Sequence, residues 1–79
     1  MKVWEVIWNQ RRIVVENGAT SVRLIVDGQV VDTDRSVICG ILCTRLPDGE
    51  SVVAVVYSGA VRVNCTLIVD GVKVMDRQT

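Results

Sequence analysis

The sequence predicts an all-β fold, an antiparallel eight-stranded β-sandwich built of hairpins and meanders. Of the 28 Val, Ile and Leu residues, 24 are Val or Ile, and β-branched side chains suit a pleated sheet better than a helix. The apolar runs are separated by turn-forming X-Gly pairs. These are Asn17-Gly18, Asp27-Gly28, Asp48-Gly49, Ser58-Gly59 and Asp70-Gly71. A small closed β-barrel, which uses the same alternation and the same turns, is the alternative fold.

Between these turns the chain divides into eight predicted strands. They cover residues 2–8, 11–16, 21–26, 29–34, 36–45, 50–57, 60–69 and 72–77. The Asp-Gly pairs predict two-residue type I′ turns, whose twist matches that of the flanking strands. Leu46–Gly49 predicts a longer connection, a type I turn followed by Gly in the left-handed region. No interval has room for a crossover helix, so successive strands are expected to pair antiparallel.

The pentapeptide Leu-Ile-Val-Asp-Gly occurs twice, at residues 24–28 and 67–71. It belongs to a longer pseudo-repeat that covers residues 14–35 and 55–77. Each copy is predicted to form a three-stranded meander, and one meander cannot bury its own apolar face. Two copies that face each other within a single domain, residues 1–79, would solve this problem.

Alternation around the two Asp-Gly turns assigns one face of each copy to the core. A two-residue loop places Leu24 opposite Val31 and Leu67 opposite Val74. Met75 then falls on the opposite, more exposed face. The residues assigned to the core are Val22, Leu24, Val26, Val31, Cys65, Leu67, Val69, Val72 and Val74.

Two segments in the middle of the chain, residues 37–43 and 52–56, are apolar on both faces of the predicted strands. A two-layer sandwich buries only one face of each strand, so the second face needs another cover. Flanking loops and long side chains are one explanation. A subunit or partner interface is the other, and homo-oligomerisation, most simply as a dimer, would satisfy it. The candidate interface residues are Ile38, Leu42, Val53 and Val55.

Composition argues against several kinds of chemistry. The sequence contains no His, so imidazole-dependent triads and imidazole metal ligands are excluded. Asp27, Asp48 and Asp70 belong to turns, and no Gly-rich segment precedes a helix to cradle phosphate. We therefore expect no enzyme activity, no cofactor and no metal. Basic and acidic residues balance at nine each, so no net charge favours nucleic acid or an anionic membrane.

The three cysteines, Cys39, Cys43 and Cys65, lack the number and spacing of a zinc ribbon. Four residues along one strand separate Cys39 from Cys43 by about 13 Å, which is too far for a disulfide. Cys65 could pair with either of them, but reduced thiols that act as small hydrophobes are favoured. The apolar runs are too short for a transmembrane helix and no signal-peptide h-region is present. We therefore expect a cytoplasmic protein without membrane contact.

A second candidate site combines aromatic and basic residues near the beginning of the chain. Trp4 and Trp8 share a strand face, and Arg11 and Arg12 follow directly. Aromatic side chains beside positive charge on a small β-fold are typical of OB-like grooves that bind a ligand or single-stranded nucleic acid. Against this interpretation, the net charge is zero and two tryptophans at even spacing are more often part of a core. Nucleic acid is therefore the weaker alternative.

The first 28 residues contain three short motifs, Trp4-Glu5-Val6, the segment 13–21 (Ile-Val-Val-Glu-Asn-Gly-Ala-Thr-Ser) and Arg23–Gly28. Together they resemble the opening of a domain of the Fas apoptotic inhibitory molecule family, and Leu67–Gly71 is similar to its closing strand and turn. The resemblance implies an eight-stranded antiparallel β-sandwich that is non-enzymatic and acts by protein contact in the cytosol to restrain apoptosis and aggregation. The sequence departs from the family at Asn17, where the family has His. The family's second Trp, which follows its first Asp-Gly, is also absent, and one domain is present where the family carries two.

Three interpretations of function follow. We prefer a non-catalytic protein-interaction or assembly domain that uses residues 37–43 and 52–56. The alternative is a small binding module for a ligand or single-stranded nucleic acid. A designed or idealised sandwich without biological function would explain the near-duplicate meander, but it explains the unpaired cysteines and the apolar middle of the chain less well.

Overall fold

The computed structural model describes residues 2–36 and 38–78, and this part of the chain is built of eight strands without a helix. The strands are β1 (Lys2–Trp8), β2 (Arg11–Asn17), β3 (Val22–Val26), β4 (Gln29–Asp34), β5 (Cys39–Arg45), β6 (Ser51–Ser58), β7 (Val63–Val69) and β8 (Val72–Gln78). Strands β1–β4 form one antiparallel sheet in sequential order, sheet A, and β5–β8 form a second, sheet B. The sheets do not close into a barrel. The predicted β-sandwich is confirmed, and the barrel alternative is wrong.

Two-residue turns join three of the hairpins. In Asp27-Gly28 the φ angles are 50° and 83°, and in Asp70-Gly71 they are 50° and 79°. These are the positive values of a type I′ turn, as the Asp-Gly pairs predicted. The turn between β1 and β2, Asn9-Gln10, has φ angles of 48° and 64° and so places a non-glycine residue at the usual glycine position.

The aspartates of the two Asp-Gly turns also bind the neighbouring hairpin. Asp27 Oδ1 accepts a hydrogen bond from the Arg12 N–H at 3.0 Å, and the Asp27 N–H donates to the Arg12 carbonyl at 2.9 Å. Asp70 repeats this arrangement with Ser51, with both distances 2.9 Å. The repeated Asp-Gly is therefore used twice in the same way, once in each sheet.

The remaining connections within the sheets are longer. The Leu46–Gly49 loop has the predicted form, because the Gly49 N–H donates to the Leu46 carbonyl at 2.8 Å and Gly49 has a φ of 98°. Segments 18–21 and 59–62 form four-residue connections in place of tight X-Gly turns. Each is closed by a bond from the Gly N–H to the carbonyl three residues on. Strands β3 and β7 therefore begin later than predicted.

A β-bulge displaces β4 relative to β3 by one residue. Leu24 pairs with Asp32 instead of the predicted Val31. Side chains alternate between the two faces of a strand. A shift of one residue therefore moves every side chain beyond the bulge to the opposite face from the one predicted. Val31 is consequently 38% exposed, and its assignment to the core was wrong.

The same bulge occurs in the second copy of the repeat, between β7 and β8. Leu67 pairs with Met75 instead of Val74. Met75 is buried in the core, although the predicted register placed it on the outer face. Val72, which was also assigned to the core, is exposed next to the turn.

The register makes β1–β4 equivalent to β5–β8. Leu24 pairs with Val15 in sheet A, and Leu67 pairs with Ala54 in sheet B. The β6–β7 hairpin extends two residue pairs further beyond this point, to Val63, than the β2–β3 hairpin does. An insertion of two residues in each strand preserves the alternation of faces, so both hairpins keep the same face on the core.

The hydrophobic core lies between the sheets and draws on both. Gly40 faces inward from β5, where a Cβ atom would lie 3.2 Å from Val22 Cγ2 of the opposite sheet. The missing side chain lets β5 approach β3 closely. The buried core residues are Trp4, Ile13, Val15, Val22, Leu24, Val26, Leu42, Leu46, Val52, Ala54, Val56, Cys65, Leu67, Val69 and Met75.

Strands β4 and β5 form a contact between the two sheets that we call the sealed seam. Asp34 Oδ2 accepts a hydrogen bond from the Ile41 N–H and Asp32 Oδ2 accepts one from the Cys43 N–H, both at 2.9 Å. Edge-strand amides of this kind otherwise offer a template for another strand. The bond from Ile41, followed by a bond from the Ser36 N–H, holds the pKa of Asp34 below its ordinary value.

The chain passes from sheet A to sheet B between Asp34, the last residue of β4, and Cys39, the first residue of β5. The Ser36 N–H donates to Asp34 Oδ1 at 2.8 Å, and Ser36 Oγ accepts a bond from the Cys39 N–H at 3.2 Å. The predicted strand 36–45 therefore begins only at Cys39. Position 37 of the predicted apolar segment 37–43 lies outside the described residues.

Candidate interaction surface

The structure separates the four predicted interface residues. Ile38 is exposed in the link before β5, whereas Leu42 is fully buried in the core. Within β5, Gly40 and Leu42 face inward and the odd-numbered residues face outward. Leu42 is therefore unavailable to a partner, which corrects this part of the prediction. The sequence could not indicate which set faced the core, because both sets are apolar.

Val53 and Val55 lie on the outer face of β6, in the middle of sheet B, and both are half-buried. Val53 lies between Cys43 of β5 and Ile68 of β7. Val55 has Ile41 on one side. These neighbours were not among the predicted interface residues, and the pairing of β6 with both β5 and β7 is the observation that identifies them.

The outer face of sheet B thus carries seven adjacent apolar or thiol side chains, which we call the apolar face. Ile41 and Tyr57 are its most exposed large members, at 59% and 53%. The members are Cys39, Ile41, Cys43, Val53, Val55, Tyr57 and Ile68. The described residues of the chain leave this surface open to solvent.

A polar ladder borders the apolar face along β7 and β8. Lys73 Nζ contacts Asp76 Oδ2 at 3.1 Å, and the Thr66 hydroxyl contacts Asp76 Oδ1 at 3.1 Å. Asn64 Nδ2 lies 3.4 Å from Thr66 Oγ1. The hydrogen bond from Lys73, followed by that from Thr66, lowers the pKa of Asp76. The outer surface of sheet B therefore has an apolar half and a polar half.

Sheet A covers its outer face differently. Glu5 pairs with Arg12 across β1 and β2, and Glu16 pairs with Arg23 across β2 and β3. Val14 lies on this face of β2, between the Arg12 and Glu16 side chains of the two ion pairs, and it is buried. Long charged side chains commonly cover apolar surface in this way. Long charged side chains therefore cover the middle of the outer face of sheet A, at Val14, whereas no ion pair between described residues crosses the apolar face of sheet B.

The three cysteines are free, and they differ in accessibility. Cys39 and Cys43 are exposed on the apolar face, whereas Cys65 is fully buried in the core. Burial, with a smaller contribution from Asp76, raises the pKa of the Cys65 thiol to about 12. Cys65 therefore behaves as a core hydrophobe, as the favoured interpretation predicted, and it forms neither of the two disulfides that the sequence left possible.

The second predicted patch does not form an aromatic surface. Trp4 is only 3% exposed, and Trp8 packs against the core from the same face of β1. Arg12 points to the outer face, where it pairs with Glu5. Arg11 lines a groove of about 240 Å³ with Val31 and other residues at the end of the sandwich. A base could not stack on a tryptophan enclosed in this way.

Arg11 is also engaged within the protein. Its guanidinium lies 3.1 Å from Asp27 Oδ2 and 3.7 Å from Asp48 Oδ2. The groove is smaller than the roughly 300–1,000 Å³ of ordinary small-molecule sites. The described residues include no cluster of three or more potential metal-ligating side chains. They also include no helix with the length and hydrophobicity needed to cross a bilayer.

Comparison of the chain with protein-family models, with curated proteins and with solved structures finds no match. The resemblance of the opening motifs to the Fas apoptotic inhibitory molecule family therefore stays a prediction. The class that the structure itself establishes is a two-sheet antiparallel β-sandwich, with cross-strand ion pairs on the outer face of sheet A and a contiguous apolar face on sheet B.

Proposed function

We propose that this protein is a non-catalytic assembly domain that binds a second copy of itself through the apolar face. The observation that carries the proposal is the contrast between the two outer faces of one sandwich. Sheet A covers Val14 with cross-strand ion pairs, and its exposed apolar side chains are interspersed with charged ones. Sheet B instead groups seven uncharged side chains together and leaves Ile41 and Tyr57 more than half exposed. Contiguous exposed apolar surface of this kind is typical of interaction sites.

A second copy fits this surface better than a charged partner does. None of the seven side chains of the apolar face carries a formal charge, and the chain has no net charge. The surface therefore selects neither an acidic nor a basic partner. Two copies related by a two-fold axis would place apolar half against apolar half, with the ladder around Asp76 at the rim.

The size of the face predicts the strength of the contact. Standard stable interfaces involve about 20–30 residues a side, and the apolar face contributes seven side chains. We therefore expect a weak dimer that dissociates on dilution. The half-buried centre formed by Val53 and Val55 would carry most of the binding energy, since central, desolvated contacts dominate association.

Four of the described carboxylates support a non-catalytic function because they are engaged in structural contacts. Asp27 and Asp70 bind backbone amides beside their turns, and Asp32 and Asp34 seal the seam between the sheets. The accessible thiols lie among apolar neighbours without a histidine to activate them, since the sequence contains none.

The test is the substitution Ile41→Lys, at the exposed position between Cys39 and Cys43 on the apolar face. A buried, unpaired charge would oppose association, so the weight-average mass at high concentration should fall. Labelling of Cys39 and Cys43 by a thiol reagent reports on this face directly. In the original protein, labelling should slow as the protein concentration rises, and in Ile41→Lys it should not.

Val30→Lys is the matched control, because Val30 is an exposed β-branched residue on the outer face of sheet A. It adds the same charge and should leave both measurements unchanged. Labelling that is independent of concentration in the original protein would overturn the proposal, as would equal effects of the two substitutions.

A further inference from the structure

Four strands lie at the edges of the two sheets, and β1 differs from the other three. Strands β4 and β5 meet at the sealed seam. Strands β4 and β8 each contain a bulge, at Val31 and at Val74. Bulges and capped amides both oppose the addition of another strand. Strand β1 pairs with β2 in unbroken register from Lys2 to Trp8, and no described side chain caps its backbone.

The turn after β1 determines which backbone groups point away from β2. A two-residue turn makes the flanking pair, Trp8 and Arg11, a hydrogen-bonded pair. Alternate residues repeat this arrangement along the strand. The N–H and C=O groups of Val3, Glu5 and Ile7 therefore point out from the free edge of sheet A.

The equivalent positions of sheet B show what a protected edge requires. Cys43 pairs with Val53 as Glu5 pairs with Val14, and Ile41 lies two residues earlier, as Val3 does in β1. In sheet B these outward amides donate to the carboxylates of β4. The corresponding pair of strands on the other side of the sandwich is β1 and β8.

Strand β8 has no carboxylate at the positions that would protect β1. The residues equivalent to Asp32 and Asp34 are Met75 and Arg77, 43 residues further along, as the two Leu-Ile-Val-Asp-Gly segments are. Neither side chain has an oxygen that accepts an amide hydrogen bond. Strands β1 and β8 also approach each other less closely than β4 and β5 do. This side of the sandwich is an open seam.

We propose that β1 pairs antiparallel with β1 of a second copy, with Glu5 at the two-fold axis, and so joins two A sheets into one. This register overlaps all seven residues of the strand. It would form about six backbone hydrogen bonds from the outward groups. It also places Val3 opposite Ile7 of the second copy, and these side chains are 54% and 67% exposed in the single chain.

The charges at the two-fold axis are compatible with this register. Glu5 would lie opposite Glu5 of the second copy, and like charges opposed across strands are destabilising. Each Glu5, however, is already paired with Arg12 of its own chain. The four side chains then form a neutral group. A slip of two residues would move the carboxylates apart but would lose the pairing of Val3 with Ile7.

The first test removes the outward amide at the axis in a protein whose apolar face is already disabled. In the Ile41→Lys background, Glu5→Pro deletes a donor that β2 does not use and places a ring on the free edge. Glu5→Gln is the matched control, because it loses the charge and keeps the amide. Sedimentation should show dimers for Ile41→Lys and for the Gln variant, and at least tenfold weaker association for the Pro variant.

The outcomes separate this inference from the proposed function. A monomeric Ile41→Lys protein at every concentration would overturn β1 pairing, whatever the thiol labelling shows about the apolar face. Equal dimerisation of the Pro and Gln variants would overturn it as well. If the Ile41→Lys protein still forms dimers but its thiol labelling no longer depends on concentration, the apolar face and β1 form two separate contacts.

A second measurement tests the register and does not depend on how well the Pro variant folds. Val3→Cys and Ile7→Cys proteins are prepared separately with Cys39 and Cys43 replaced by Ala. Hydrogen-bonded antiparallel pairs place their Cα atoms about 5.5 Å apart, within disulfide range. Oxidation should cross-link a mixture of the two proteins and neither protein alone. Cross-links of equal yield in all three samples, or none in the mixture, would overturn the register.

Discussion

Asp27 and Asp70 stabilise the fold through both the backbone and the side chain. Their positive φ angles start the turn, and their carboxylates bind the amides of Arg12 and Ser51 on the neighbouring strand. The turn type is predictable, because Asp-Gly is a short-range signal. The second contact is not, because it depends on a strand 15 or more residues away in the sequence.

At the same scale, Gln10 offers a stabilising substitution. It has a φ of 64° at the second position of a type I′ turn, where Gly28 has 83°. Left-handed backbone costs a non-glycine residue about 1–2 kcal/mol, and glycine's extra flexibility in the unfolded chain offsets about half of this. Gln10→Gly should raise the free energy of unfolding by roughly 0.5–1 kcal/mol in urea denaturation.

The reverse change at the equivalent turn position is the control. Gly28→Gln should lower the free energy of unfolding by a similar amount, because a Cβ atom there meets no other atom and only the backbone strain changes. If both substitutions shift stability in the same direction, the explanation from φ angles does not hold.

At the scale of strands, the two bulges determine which face of β4 and β8 reaches the core. The extra residue is Val31 in one copy and Val74 in the other. The sequence could not indicate the bulge, because a valine lies at the position that the simple register assigns to the core. Strand positions were predicted closely from turns and apolar runs. Pairing beyond the bulges depends on contacts between the sheets.

Alanine substitutions on the two sides of the first bulge distinguish the observed register from the simple one. Leu24 is fully buried, and Leu24→Ala should lower the free energy of unfolding by about 2–5 kcal/mol. Val31→Ala should cost about 1 kcal/mol or less, because its side chain is partly in solvent. Urea denaturation checks both. A Val31 effect as large as that of Leu24 would favour the register without a bulge.

The sealed seam makes a pH-dependent contribution to stability. Amide donors lower the pKa of Asp34 below 3.8 in the folded protein, so the folded state favours the ionised carboxylate. The stabilisation is complete above the unfolded-state pKa and is lost as the pH falls through the lower, folded-state value. Asp34→Asn should therefore make the free energy of unfolding depend less on pH between neutrality and pH 2.5.

Asp48→Asn controls for the loss of one negative charge in this comparison, because Asp48 is exposed in a loop and, among the described residues, its carboxylate approaches only Arg11, at 3.7 Å, without accepting an amide hydrogen bond. The two variants are compared by urea denaturation at both pH values. An Asp34→Asn protein with the same pH dependence as the original would show that the seam carboxylate is not responsible.

At the scale of the whole molecule, the two sheets have the same topology but different outer faces, and the two sides of the sandwich have different seams. The sequence indicated a second apolar face in the middle of the chain and left open what covers it. In the structure this face lies on the outside of sheet B, with Ile41 and Tyr57 exposed. The sequence could not indicate that Leu42 faces inward and Ile41 outward, because both are large and aliphatic. Gly40 favours the observed choice, since a Cβ atom there would lie 3.2 Å from Val22 Cγ2 and would require that side chain to shift.

The apolar face and the β1 edge lie on different sheets. An isologous contact through either one alone closes at a dimer. Two such contacts on the same chain would extend into a row of molecules, and disabling either one would reduce the row to pairs. The mass distributions of variants with one or both contacts disabled therefore distinguish rows, pairs and single molecules.

Among the described strands, β4 and β5 are the only consecutive pair that belongs to different sheets. Every strand pairs only with its neighbours in sequence, so each sheet is one continuous stretch of polypeptide. The same sandwich could be assembled from two identical half-length chains, but such an assembly would have identical seams on both sides. Because both halves belong to one polypeptide, equivalent positions can hold different residues, and Met75 and Arg77 stand where the first half has Asp32 and Asp34. The sandwich can therefore have one closed side and one open side.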